Sequence, residues 1–186
     1  MKTNALAPTL WRTCRVLACD RRLKILAVVL AKGPVCVKDV ARACRMPVNT
    51  ATQYLRALQA RGLLAAQRQS RWVYYVPRAD LSVQHADHML MAMRKAMDAG
   101  ESQANMVAML TAYTHPRRIS IVRRLTAGPA RVEQLAQDTD ISLPACYRHL
   151  EKLKNRAVVE IDKEDHCRLA QPLPGLATAL LLAAIA

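Results

Sequence analysis

Phenylalanine is absent from this 186-residue chain, and Trp and Tyr together number seven. Strands of a sheet sandwich draw on aromatic and β-branched side chains, so an apolar content of 52% carried by Ala, Leu, Val and Met favours helices instead. Acidic residues are half as many as basic ones, 14 against 28, for a net charge of +14. No Cys-x-x-Cys pair occurs among the six cysteines Cys14, Cys19, Cys36, Cys44, Cys146 and Cys167. No apolar leader with a cleavage site follows Met1-Lys2-Thr3-Asn4, so a cytoplasmic protein with reduced thiols is expected. The longest apolar stretch, residues 176–186, is shorter than the ~20 residues a membrane helix needs, so no membrane partner is expected. A Gly-rich phosphate loop, a Ser or Cys nucleophile motif, His-Glu-x-x-His and clustered carboxylates are all missing, which argues against an enzyme and against a cofactor.

What the chain does contain, it contains twice. Residues 33–77 align without a gap to residues 128–172, at an offset of 95. Gly33-Pro34 answers Gly128-Pro129, Val37-Lys38-Asp39-Val40-Ala41 answers Val132-Glu133-Gln134-Leu135-Ala136, and Pro77 answers Pro172. Upstream the offset is 96, so Arg22-Leu23-Lys24-Ile25-Leu26 faces Arg118-Ile119-Ser120-Ile121-Val122. A solenoid needs three or more repeats to build a continuous core. Two copies read as two domains, 1–99 and 101–186, packed as a pseudo-symmetric pair.

Each copy carries the same series of patterns. A first helix is expected over about 8–19 and 103–114, a second over 21–31 and 117–126 with the apolar spacing of Leu23, Leu26, Val29 and Leu30. Gly-Pro turns end the second helix. Short helices over 37–44 and 132–138 lead through a polar turn into helices over 48–61 and 143–156. Leu63-Leu64-Ala65-Ala66 and Val158-Val159-Glu160-Ile161 read as strands, the former leading through residues 67–71 into the β-rich Trp72–Val76. Last helices are expected over 80–98 and 175–185, with Gly100-Glu101-Ser102 the domain boundary and the helices around it able to run as one nearly continuous connector. The fold class is therefore mainly α with small β-hairpin wings: two tandem winged helix-turn-helix domains.

In that fold the second helix of the pair sets an apolar back on the core and a polar face outward, able to lie in a major groove. The outward residues of the first copy are Asn49, Thr50, Thr52, Gln53 and Arg56, and those of the second are Leu143, Ala145, Tyr147, Arg148 and Lys152. The wings differ: Arg68 and Arg71 in the first, Asp162-Lys163-Glu164-Asp165 in the second. The charge is just as uneven. Residues 1–80 hold 15 Lys/Arg and 3 Asp/Glu, whereas residues 81–186 hold 13 and 11. Such a basic half is the electrostatic footprint of a nucleic-acid binder. The expected partner is double-stranded DNA, contacted through Asn49, Thr50, Thr52, Gln53, Arg56, Arg68, Arg71, Arg148 and Lys152.

With Arg22-Leu-Lys-Ile-Leu, Val37-Lys-Asp-Val-Ala, the run from Asn49 to Leu58, Gly62-Leu-Leu and Val73-Tyr-Tyr, the chain resembles the ArsR-type winged-helix regulators of bacteria. Arg118-Ile-Ser-Ile-Val, Val132-Glu-Gln-Leu-Ala and residues 144–153 carry the same resemblance in the second copy. The resemblance implies transcription regulation, and a single chain that mimics the family's homodimer, joined through first and last helices. It does not extend to the family's metal-sensing cysteine cluster, because Cys36 is followed by Lys38 and Ala41 at the next ligand positions, and the second copy has Arg131, Glu133 and Ala136. One thiolate cannot supply three or four soft ligands.

Other constellations stay open as alternatives. His85 and His88, one helical turn apart, are the candidate pair for zinc, but residues 176–186 offer no further ligand, so no metal is expected. Met89, Met93 and Met97 share a helix face and read as the seam between the halves, with room there for a small apolar effector as the competing reading. Further homo-oligomerisation is left open. Two other functions fit two winged helices: a plasmid or phage replication initiator, and a protein-binding adaptor like the kleisin-associated subunits of bacterial condensin. The basic first half argues against the adaptor.

Overall fold

The computed structural model describes residues 9–173 and 175–185. Residues 1–8, Pro174 and Ala186, and with them the start of the first expected helix, lie outside that range. The first half runs α1 (Leu10–Leu17), α2 (Asp20–Lys32), β1 (Val35–Cys36), α3 (Val37–Cys44), α4 (Val48–Gln59), β2 (Ala65–Gln69), β3 (Trp72–Val76) and α5 (Ala86–Asp98). The second repeats that order as α6 (Gln103–Ala112), α7 (Pro116–Leu125), β4 (Ala130–Arg131), α8 (Val132–Asp138), α9 (Leu143–Lys154), β5 (Val159–Ile161), β6 (His166–Leu169) and α10 (Gly175–Ile185). These are two tandem winged helix-turn-helix domains. Their sheets share one topology, β1-β3-β2 and β4-β6-β5, all pairs antiparallel.

Local chemistry explains why both halves fold alike. The first four N–H and last four C=O groups of a helix need outside partners. At the end of α6, Arg118 donates to the carbonyls of Ala112 (2.6 Å) and Thr111 (2.9 Å) and to the Thr114 hydroxyl (2.7 Å). Arg22, its counterpart, donates to the carbonyls of Val16 and Arg15 at the end of α1. Each helix-turn-helix bend closes on a left-handed residue, Arg45 (φ 52°) or Asp140 (φ 53°), with Met46 N–H bonded to the Ala41 carbonyl and Ile141 N–H to that of Ala136. The exits of α4 and α9 are likewise matched by Gly62 (φ 68°) and Ala157 (φ 52°), with Leu63 N–H on Leu58 and Val158 N–H on Leu153. At Gly62 a side chain would also meet the Val83 Cβ at 2.8 Å, so glycine answers both the backbone angle and the close approach.

Several expectations are corrected. The strand expected at 63–66 begins only at Ala65, because Leu63 and Leu64 are drawn into the core (0% and 2% exposed) as the chain leaves α4. The wing turn is correspondingly short, with Arg68 inside β2 opposite Val73 and Gln69 opposite Trp72. Two-residue strands, Val35–Cys36 and Ala130–Arg131, stand between the Gly-Pro turns and the short helices, in addition to the expected elements. The last helix of the first half starts at Ala86 rather than 80, since residues 80–85 form turns in which Asp80 Oδ1 accepts from the Ser82 N–H and hydroxyl. The connector is not continuous either. Gly100 (φ 72°) ends α5, with Glu101 N–H on the Ala96 carbonyl, and Ser102 caps α6 by accepting from Asn105 N–H at 3.2 Å.

The halves meet through corresponding helices: α1 packs on α6, and α5 packs on α10. One apolar cluster spans both halves, joining Leu10, Cys14 and Leu17 to Met106 and Leu110, and Met89 and Met93 to Leu176 and Leu180. The methionine face is thus filled core rather than an open effector site. Arg123 of α7 caps the Ala184 carbonyl of α10, and the Gln103 side chain reaches the Asp20 carbonyl across the seam. Helix α10 buries Leu176, Ala177, Leu180, Ala183 and Ala184 and leaves Leu182 58% exposed. Leu180→Asp should therefore lower stability by at least about 3 kcal/mol, from the lost apolar contact and an unpaired buried carboxylate. Leu182→Asp should change it by under about 0.5 kcal/mol. Thermal melts of the two variants check this.

Candidate nucleic-acid interface

The site is built on α4, whose back, Ala51, Leu55 and Leu58, is fully buried on the core. That anchoring leaves Asn49, Gln53 and Arg56 exposed and Thr50 and Thr52 half-buried on the outward side. The Thr52 hydroxyl donates to the Val48 carbonyl at 2.8 Å, which leaves it its acceptor lone pairs. The wing adds Arg68, Arg71 and a half-exposed Trp72. Three further groups, not foreseen in the sequence, extend this surface. Lys38 lies over the Trp72 ring at 5.2 Å, with Arg71 at 5.5 Å, and Arg42 and Arg45 are exposed on and just after α3. The signal for Lys38 was its place two residues past the β1 pairing with β3, which only the third strand makes visible.

The second half presents a different face. Arg148 is exposed, as are Leu143 and Tyr147, but Ala145 is buried at 3% and does not belong to the outward set. Lys152 is exposed and lines a cavity together with Trp11 and Arg15 of α1. The Tyr147 hydroxyl donates to Asp165 Oδ2 at 3.0 Å, tying the recognition-helix position to the acidic wing. Ion pairs further neutralise this half: Arg168–Glu160 at 2.7 Å, Arg124–Asp138 at 2.5 Å and Arg131–Glu133 at 3.7 Å. In the first half Arg42 pairs with Asp39 at 3.7 Å.

The candidate zinc pair is split by the fold. His85 occupies the N-cap position of α5 at φ 64° and is 9% exposed, whereas His88 faces solvent and pairs with Asp87 at 3.5 Å. Burial, then His88 and Arg123, hold His85 below the usual histidine range, and a nearby guanidinium opposes a bound cation. Among the described residues, the group of three ligand atoms within 4.8 Å is Asp162, Glu164 and His166 in the exposed second wing. Cys36 donates its thiol to Asp39 Oδ2 at 3.0 Å, and Cys44 is buried.

Comparison with known proteins fits this geometry. Residues 20–65, spanning α2 to the start of β2, match the family model of winged helix-turn-helix DNA-binding domains. Residues 113–161 match that of a helix-turn-helix domain. An uncharacterized HTH-type transcriptional regulator of Methanocaldococcus jannaschii is 34% identical over 58 residues, 31% of this chain and 61% of that protein. The match therefore spans about three-fifths of that relative. Among the described residues no helix is long and apolar enough to cross a membrane.

One pair of titratable groups marks how positive the inner side of the second half is. The His115 and His149 rings lie 4.6 Å apart. Burial, then the neighbouring His115, Arg118, Arg117 and Lys152, push His149 down to about 4. An unfolded histidine binds its proton near 6.5, so between about 4 and 6.5 the unfolded chain holds more protons, and stability rises with pH. His149→Tyr, which installs the residue found at the matching position Tyr54, should flatten that part of the melting-temperature profile relative to the parent chain.

Proposed function

We propose that the protein is a cytoplasmic, sequence-specific double-stranded-DNA-binding transcriptional regulator of ArsR-like type, acting without catalysis. Its domains, 1–99 and 101–186, reproduce within one chain the two-fold arrangement that such regulators reach as homodimers. One observation carries this reading. Asn49, Gln53 and Arg56 of α4, Arg68 and Arg71 of the wing, Lys38 and Arg42 of α3 and Arg45 just after it are all exposed, and they lie within residues 1–80, which hold 15 of the 28 Lys/Arg and 3 of the 14 Asp/Glu. The two family matches and the name of the archaeal relative support the same class.

The chemistry of readout follows from side-chain type. Gln53 and Asn49 suit the N6/N7 edge of adenine, and Arg56 suits guanine O6/N7 or a phosphate. Arg68, Arg71 and Lys38 serve the backbone, where phosphate neutralisation supplies affinity without sequence information. The second half contributes less, because Asp162, Glu164 and Asp165 would face phosphates of their own sign.

Arg68→Ala with Arg71→Ala in the full chain should weaken binding to all duplexes alike. It should also reduce the slope of log affinity against log salt by up to about two. Lys163→Ala should leave both nearly unchanged. Fluorescence anisotropy over a salt series gives the answer, and equal effects from the two wings would sink the assignment of the interface to the first half.

A further inference from the structure

A cavity of about 530 Å³ opens at the seam between the halves. Trp11 and Arg15 of α1 form one wall; His115 and Arg118 of α7's first turns, Lys152 of α9 and Arg156 just beyond it form the other. The lining holds four fixed cations and no carboxylate. The charges that act on the two histidines beside it are positive from every element packed there: Arg15 from α1, Arg117 and Arg118 from α7, Lys152 from α9.

Not all of this charge is used to hold the fold. Arg118 is engaged, its three bonds closing the end of α6. Arg156 donates through Nη1 to the Lys152 carbonyl at 2.9 Å, but its buried Nε has no partner, and neither has the buried Nδ1 of His149. Buried polar atoms without partners are uncommon and costly. The first half keeps part of this set at the matching positions. Arg22 answers Arg118 and lies over the Tyr54 ring at 5.6 Å, and Arg61 answers Arg156, its Nε likewise buried without a partner; Ala57, however, stands where Lys152 does, and Thr111 answers Arg15. The added charges of Arg15 and Lys152 are therefore particular to this side of the seam and are not required by the winged-helix fold.

We infer that the seam cavity is a binding site for a small oxyanion, the carboxylate or phosphate group of a soluble ligand, met by Arg15, Lys152 and Arg156. The volume lies within the range of small-ligand sites. A charge-assisted bond from the Arg156 guanidinium would supply its unpaired Nε with an acceptor. Because Arg15 belongs to the first half and Lys152 and Arg156 to the second, the occupant bridges the two.

The test uses the full chain without DNA. Calorimetric titration with inorganic phosphate, and separately with benzoate, is run at neutral pH with ionic strength held constant by sodium chloride. At least one probe should bind at a single saturable site with a dissociation constant below about 1 mM. Arg15→Gln and Arg156→Gln should each weaken it at least about tenfold, since each removes a charged partner. Arg15 is exposed, so that variant keeps its fold, and its melting curve confirms it. Binding of both probes that is non-saturable, or unchanged in both variants, overturns the site. So does a result in which neither probe binds while both variants lower the salt dependence of duplex binding, because the cations would then belong to the DNA contact.

Discussion

Everything else in the molecule depends on the pairing of each terminal helix with its counterpart. Helix α10 is apolar apart from Thr178, and α5 carries Met89, Leu90, Met93 and Ala96 on its inner side. Neither face could remain in water, and each is buried on the other, while α1 and α6 bury Leu10, Cys14 and Leu17 against Met106 and Leu110. Such contacts between like elements are those of an isologous two-fold dimer. Covalent linkage frees the halves from identity. The surfaces away from the seam can diverge as long as the seam itself stays complementary.

The charge distribution has the form that freedom permits. The first half exposes Lys38 and Arg42 of α3, Arg45 just after it, Arg56 of α4 and Arg68 and Arg71 of the wing. The second half pairs Arg124, Arg131 and Arg168 with carboxylates, turns its wing acidic and holds that wing to α9 through Tyr147 and Asp165. Its Arg117, Arg118 and Lys152 gather around His115 and His149. Under the proposed function, one half grips DNA and the other supplies the two-fold partner surface, with an oxyanion site between them.

Much of this was legible in the sequence, because the internal repeat tests each pattern against a second copy. The repeated pattern located the helices of both halves, α5 six residues too early, and the apolar backs of α4 and α9 followed from Leu55, Leu58, Leu150 and Leu153. The misses have physical causes. Two-residue strands such as Val35–Cys36 carry no periodicity and exist only through pairing with β3. Leu63 and Leu64 look like strand residues, but a left-handed turn at Gly62 sends them into the core first. Ala145 lies one position from the outward face, too small a residue for type alone to fix its side. Among the candidate contacts, Arg68 and Arg71 were visible from charge, whereas Lys38 and Trp72 come together only through the sheet. The seam cavity joins residues about 140 positions apart, from Arg15 to Lys152 and Arg156, and no local pattern announces it.

Under the proposed function, one chain presents two unlike recognition helices in a two-fold frame. Selection of preferred duplexes from a random pool by the full chain reads that asymmetry out. The predicted outcome is an asymmetric site with strong base preference in one half, facing Asn49, Gln53 and Arg56, and weaker preference about one helical turn away, at roughly 34 Å. A perfect palindrome with equal preference in both halves would contradict it, since two whole chains would then bind through α4 and the internal pair would not be the DNA-reading unit.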